Sequence, residues 1–151
     1  MFFSANISLT CSGFACVVMS QSPGVRCNID IREMSDETRR ILMNDEMIRI
    51  NQDPLCRQPY KVKNHAWNDK VLIYVKALAD GDLAIGMFNL SDEKSRAAMN
   101  LDEIGLPFST GRTLELTEVW TGDTLRARNA SLTAELEPFA SKVYRAKVVK
   151  L

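Results

Sequence analysis

The sequence predicts a mainly β chain, an antiparallel β-sandwich preceded by a strand–helix unit. Three observations carry this. Beyond Pro59, short strand-like runs recur at ~8–12-residue spacing with turn signals between them. One of those turns is Asp80-Gly81, set between two apolar runs, which is the short-range signature of a β-hairpin. Before Pro59, an alternating run at 28–32 is followed by a helical pattern that ends at Pro54.

The elements follow in chain order. Residues 1–27 show no period of 2 or 3.6, and their apolar stretch, Gly13–Met19, has no Lys or Arg before it. A secretory signal requires a positive stretch there, so the segment reads instead as the interior of a larger parent protein or a displaced gene start. Asn28–Arg32 alternates as a strand does. Ser35 stands as an N-cap, with Asp36 and Glu37 in the first turn, where carboxylates complement the helix dipole. A helix is predicted over 36–50, broken into two pieces at Asn44-Asp45 and stopped by Asn51-Gln52-Asp53-Pro54. This divides the chain into 1–58 and 59–151.

In the second part, Val71–Lys76 and Leu83–Phe88 flank the Asp80-Gly81 turn as paired strands. Asn89–Lys94 is a polar loop, Ala97–Leu101 a third strand and Asp102–Gly105 a tight helical turn. Thr113–Trp120 alternates and turns at Thr121-Gly122-Asp123; Ser131–Leu136 and Lys142–Val148 complete the sandwich.

Composition narrows the function classes. Lys+Arg and Asp+Glu are both 19, so a net charge of zero leaves no global field to draw nucleic acid or an anionic membrane. No apolar run approaches the ~18 residues of a membrane helix. Neither nucleic acid nor membrane is expected as a partner. The cysteines, Cys11, Cys16, Cys27 and Cys56, form no C-x-x-C pair. Buried free thiols are the default, a Cys27–Cys56 bridge stays open, and so does the compartment. No Gly-rich phosphate loop and no metal-ligand cluster appear, so no cofactor and no metal are expected.

Few residues carry candidate chemistry. His65, the one histidine, lies in a polar stretch without a nucleophile partner in any motif. Asp30 sits near the end of the first strand, two residues before Arg32; a structural Asp–Arg pair is the simpler reading, a place at a pocket rim the alternative. Trp67 and Trp120 could each stack on a sugar, although a tryptophan in an alternating strand is more often core. Asn6, Asn89 and Asn129 open glycosylation tripeptides.

The run from Asn28 to Leu55 resembles the end of the catalytic barrel in the α-galactosidase (melibiase) family of glycoside hydrolases. The family pattern there is an N/C-D-[IL]-R strand, a helix, then I-N-Q-D-P-L-G; this chain has Asn28-Ile29-Asp30-Ile31-Arg32 and Ile50-Asn51-Gln52-Asp53-Pro54-Leu55. Val75–Ser91 is similar to the family's first sandwich hairpin, Glu118–Gly122 to its D-L-W-T-G, and Pro138–Ala146 to its last strand. Cys56 stands where the family has the glycine after D-P-L, and residues 1–21 do not read as the helix that precedes the last barrel strand.

The resemblance implies that residues 1–58 are a strand–helix remnant of a (β/α)8 barrel and 59–151 the C-terminal sandwich. It implies hydrolysis of terminal α-galactosides with retention, by two aspartates ~5–5.5 Å apart on barrel strands. The family's K-Y-D nucleophile motif and its W-N-D-P-D-M pocket motif are both missing from this chain. No residue present is assigned as catalytic, and Asp30 is left as a pocket-rim residue only. An α-galactoside would be bound only within a whole barrel, with subunit contacts in the full-length family. The first 20 residues are expected to pack poorly without that barrel. Two other readings compete: a free-standing carbohydrate-binding or structural sandwich with Trp67 or Trp120 as platform, and an independent enzyme using Asp30, Asp53 or His65. Buried tryptophan rings would favour the fragment reading, exposed ones sugar binding.

Overall fold

The computed structural model describes residues 36–151. The strand expected at 28–32, Asp30, the Ser35 cap, the packing of the first 20 residues, the Asn6 tripeptide and Cys11, Cys16 and Cys27 lie outside the described residues.

Two short helices open the described chain, α1 (Asp36–Leu42) and α2 (Asp45–Asn51). The break falls where the sequence places it. Asn44 has extended dihedrals, and its Oδ1 accepts the Met47 N–H at 2.9 Å, so it caps α2 instead of continuing α1. Asp45 and Glu46 occupy the first turn of α2 and Arg49 the last, matching the helix dipole at both ends.

Eight strands follow: β1 (Tyr60–Val62), β2 (Val71–Ala77), β3 (Leu83–Asn89), β4 (Ser95–Asn100), β5 (Arg112–Glu118), β6 (Thr124–Arg126), β7 (Ser131–Leu136) and β8 (Ser141–Lys150). Six of them form one antiparallel sheet in the order β1-β2-β3-β8-β5-β6, and β4 and β7 form a second. The two sheets make the predicted sandwich. The β2–β3 hairpin is in the register that pairs Ala77 with Leu83 and Val71 with Asn89. Its turn needs a left-handed residue, which Gly81 supplies at φ +86°.

The large sheet is apolar on both faces. Alternate residues of its strands, among them Ile73, Val75, Ile85, Met87, Leu114 and Leu116, meet Met99, Leu132 and Leu136 of the small sheet in the main core. On the opposite face, Ala84, Phe88 and Val143 pack with Met47 and Ile50 of α2. Strand β3 therefore shows buried residues on both sides, with Ala84–Asn89 all shielded.

Asn89 locks the two sheets at one end. Its side-chain Nδ2 donates to the carbonyls of Glu93 (2.7 Å) and Glu137 (3.0 Å), and its Oδ1 accepts from the Ser91 N–H and hydroxyl. An amide buried at such a junction is tolerated because its donors and acceptor are used. The Asn89 glycosylation tripeptide is thus closed in the folded chain, whereas Asn129 is exposed.

Several expectations are corrected. The third strand begins at Ser95 instead of Ala97, and Leu101 opens the following 3-10 turn. Trp120 lies beyond β5, in a turn, because the buried Glu118 carboxylate accepts the N–H groups of Trp120 (3.0 Å) and Thr121 (2.6 Å) and bends the chain. Cys56 is a free thiol but an exposed one, since it sits in the loop after α2. Strands β1 and β6 had no expected counterpart.

Tyr144, on β8 in the main core, reports the integrity of the sandwich. Burial, reinforced by the Glu118 carboxylate, pushes its phenol up to about 12. Between the ordinary phenol value of about 10 and that limit, the unfolded chain has lost a proton the folded chain keeps, so stability falls as pH rises. Unfolding titrations from pH 9 to 12 should show a loss of roughly 2–3 kcal/mol from this group, and Tyr144→Phe should flatten that part of the profile.

Candidate functional site

The chemistry-bearing residues of the described chain gather at the junction between α2 and the large sheet. Lys76 is the centre of it. Along β2, Val71, Ile73 and Val75 face the sandwich core, so Lys76 must face the helices. Its side chain is fully buried, and Nζ donates to the carbonyl of Ile50 at 2.5 Å, in the last turn of α2. A cation at a helix C-terminus satisfies an orphan carbonyl and complements the dipole. Burial lowers the ammonium pKa from its ordinary value, with the Asp53 carboxylate opposing that shift.

Asp53 forms the second tie. Its carboxylate accepts the Ala79 N–H through Oδ2 (3.0 Å) and Oδ1 (3.2 Å), and Oδ1 also accepts the Leu55 N–H at 3.0 Å. Asp53 thus fastens the chain leaving α2 to the β2–β3 turn. Cys56 completes this bend at φ +48°, with its N–H donating to the Asp53 carbonyl at 3.0 Å. The left-handed conformation explains the position: a glycine would adopt it freely, and cysteine holds the same turn under strain.

Arg145 of β8 makes the third tie. It pairs with Asp80, with Asp82 at 2.9 Å and with Glu46 of α2 at 3.3 Å. The Asp82 hydrogen bond and then the surrounding carboxylates raise its pKa against the opposing effect of burial. These residues, with Glu118 and Lys147, line an open groove of about 520 Å³. Its carboxylates are committed: Glu46, Asp80 and Asp82 to Arg145, and Glu118 to backbone N–H groups. Among the described residues, the groove therefore offers no pair of free carboxylates for acid–base or nucleophilic work.

The other sequence candidates lie apart from this junction or play quieter parts in it. Asp53 is a structural acceptor. His65 is on the opposite sheet's edge, its Nε2 2.6 Å from Glu103 Oε1. Trp120 is half-buried against the helix-facing core, whereas Trp67 is exposed. Among the described residues, no group of three His, Cys, Asp or Glu side chains could hold a metal ion. Lys76 and Arg145 were missed by sequence reasoning. A lysine inside the otherwise apolar run Val71–Ala77 was the available signal for the first, whereas Arg145 shares β8 with Lys142, Lys147 and Lys150 and does not stand out.

Comparison with known proteins agrees with this fold. Residues 68–146 match the family model of the alpha galactosidase C-terminal beta sandwich domain. An alpha-galactosidase of Cyamopsis tetragonoloba is 28% identical over 133 residues, covering 88% of this chain and 31% of the relative. The crystal structure of alpha-galactosidase I from Mortierella vinacea (TM-score 0.77, 18% identity) and the structure of the Saccharomyces cerevisiae alpha-galactosidase (TM-score 0.79, 14% identity) share the fold. The superpositions cover 90% and 94% of this chain but 34% and 44% of those two. The chain thus spans less than half the length of each of these three relatives.

Two substitutions test the junction. Lys76→Ala should cost about 2–4 kcal/mol in denaturant unfolding, by leaving a cavity and a carbonyl without its donor. Lys76→Met should cost less, and it should also abolish a rise in stability as pH climbs toward the ordinary lysine value of 10.5, because below it the unfolded chain holds a proton more readily than the folded one. Cys56→Gly should raise stability by ~0.5–1 kcal/mol, the relief of left-handed strain less the added freedom of the unfolded chain.

Proposed function

Because this chain belongs to the family of the α-galactosidase C-terminal β-sandwich domain, we propose that it serves as the C-terminal part of an α-galactosidase-like glycoside hydrolase and is inactive by itself. In this reading, residues up to 58 are the end of a catalytic barrel and residues 59–151 the sandwich that supports it. The observation that carries it is the junction: α2 and the Asn51–Leu55 segment are fastened to the large sheet by Lys76, Asp53 and Arg145. Such a seam holds the last helix of a barrel in fixed orientation to the sandwich.

The helix-facing side of the sheet supports the same reading. Leu72, Tyr74 and Trp120 are only partly covered there. Trp120 Nε1 and, on the same face by its pairing with Phe88, Ser141 Oγ are buried without a hydrogen-bond partner among the described residues. The remainder of a barrel would bring both cover and acceptors to this face.

Retaining cleavage needs one carboxylate to attack the anomeric carbon and a second to protonate the leaving oxygen. The family motif for the nucleophile, K-Y-D, is missing from the chain, and Asp30 would at most line the pocket of a whole barrel. An α-galactoside is then a substrate only for the complete enzyme. Purified chain should release no chromophore from p-nitrophenyl α-galactoside above buffer. Turnover that disappears in Asp30→Asn would overturn the proposal.

A further inference from the structure

The small sheet carries a second feature that the barrel junction does not use. Residues 63–68 run beside β4 and close its open edge. The His65 N–H donates to the Ala98 carbonyl (2.7 Å), the Ala98 N–H donates to Asn64 Oδ1 (3.0 Å), and Asn68 Nδ2 donates to Ser95 Oγ (3.0 Å). Held at these three points, the segment presents Trp67 at φ +58° and 86% exposed.

Both properties work against stability. A bulky residue in the left-handed region costs ~1–2 kcal/mol, and an indole left in water forgoes the burial that makes tryptophan favourable in a core. Strain held at one residue by a well-bonded frame points to function more than to folding. The ring face is electrostatically negative and already draws Lys63 Nζ, 5.4 Å from its centroid. The C–H groups on the apolar face of a pyranose carry the same partial positive sign.

Polar groups that could read hydroxyls lie along the same segment. Glu103 accepts the Lys63 N–H through Oε2 at 3.0 Å, and its Oε1 is 2.6 Å from His65 Nε2, which also lies 3.4 Å from Asn100 Nδ2. The set offers donors and acceptors together. Its fixed charges, Lys63 and Glu103, are one of each sign, so the strip favours a neutral ligand over an anionic one.

We propose that Trp67, with Lys63, His65, Asn100 and Glu103, forms a carbohydrate-binding surface on the small sheet that takes a neutral pyranose residue of a glycan. The sugar's apolar face stacks on the Trp67 ring, displacing the Lys63 ammonium to the rim, and its vicinal hydroxyls meet the Asn100–His65–Glu103 strip. The surface is independent of the barrel seam and of the reading given for it.

Native gels of the full chain cast with galactomannan, glucomannan, dextran or heparin test this. Wild type should be retarded by at least one of the three neutral polymers. Trp67→Gly should weaken that retardation by about tenfold or more, the loss of one good stacking contact. The same variant should have a higher thermal midpoint, because glycine adopts this backbone conformation without strain. A purely structural tryptophan would not separate binding from stability in that way. Trp120→Phe should be retarded as wild type is. No retardation by any neutral polymer, equal retardation of Trp67→Gly, or retardation by heparin alone would overturn the proposal.

Discussion

Strand β3 has water on neither side. From Ala84 to Asn89 every residue is shielded, so the large sheet that contains it needs two covers. The strands β4 and β7 provide one, and α2 provides the other through Met47 and Ile50. Most of what distinguishes this chain follows from that constraint. A sheet in an ordinary two-layer sandwich turns a polar face to solvent. Here the outer face is apolar at Ala84, Phe88 and Val143, and a helical segment must remain attached for the sheet to stay folded and soluble.

Apolar packing alone would let a seven-residue helix slide or detach, because a helix of two turns has little stability of its own. The polar ties remove that freedom. Lys76 reaches the end of α2, Asp53 holds the strand-turn backbone and Arg145 reaches the first turn through Glu46. Each is directional, so together they set the rotation and the axial position of α2 on the sheet. Burying Lys76 carries a desolvation cost that an apolar residue would not, and the hydrogen bond to Ile50 offsets part of it. The return is a fixed geometry between helix and sandwich, which is what a barrel closing against this face would require.

The sandwich was largely legible in the sequence because its signals are local. Asp80-Gly81 between apolar runs specifies a hairpin, and Asn44 announces a helix boundary three residues before the N–H it caps. Strands β1 and β6 were not legible: at three residues each, with mostly exposed side chains, neither is long enough to show alternation. The Trp120 misplacement has a similar cause, since the alternation of Thr113–Trp120 continues past the point where the Glu118 carboxylate folds onto the N–H groups of Trp120 and Thr121. The functions of Asp53 and Lys76 were illegible for another reason. Their partners, Ala79 and Ile50, lie 26 residues away, and nothing in a single sequence states which carbonyl a lysine will find. The family resemblance carried the overall architecture; the three-point seam became visible only in three dimensions.

Native-state hydrogen exchange tests most directly whether α2 and the sandwich are one cooperative unit. If they are one unit, the slowest amides of the helix, those of Ile50 in its last turn and of Gln52 at its C-cap, exchange with the same opening free energy as the β2–β3 amides of Tyr74 and Gly86, and Lys76→Ala lowers both sets together. Exchange of the α2 amides a hundredfold or more faster, ~3 kcal/mol below the strands, with the strands unaffected by Lys76→Ala, would show that the helix is an appendage and the seam is not what holds the sheet.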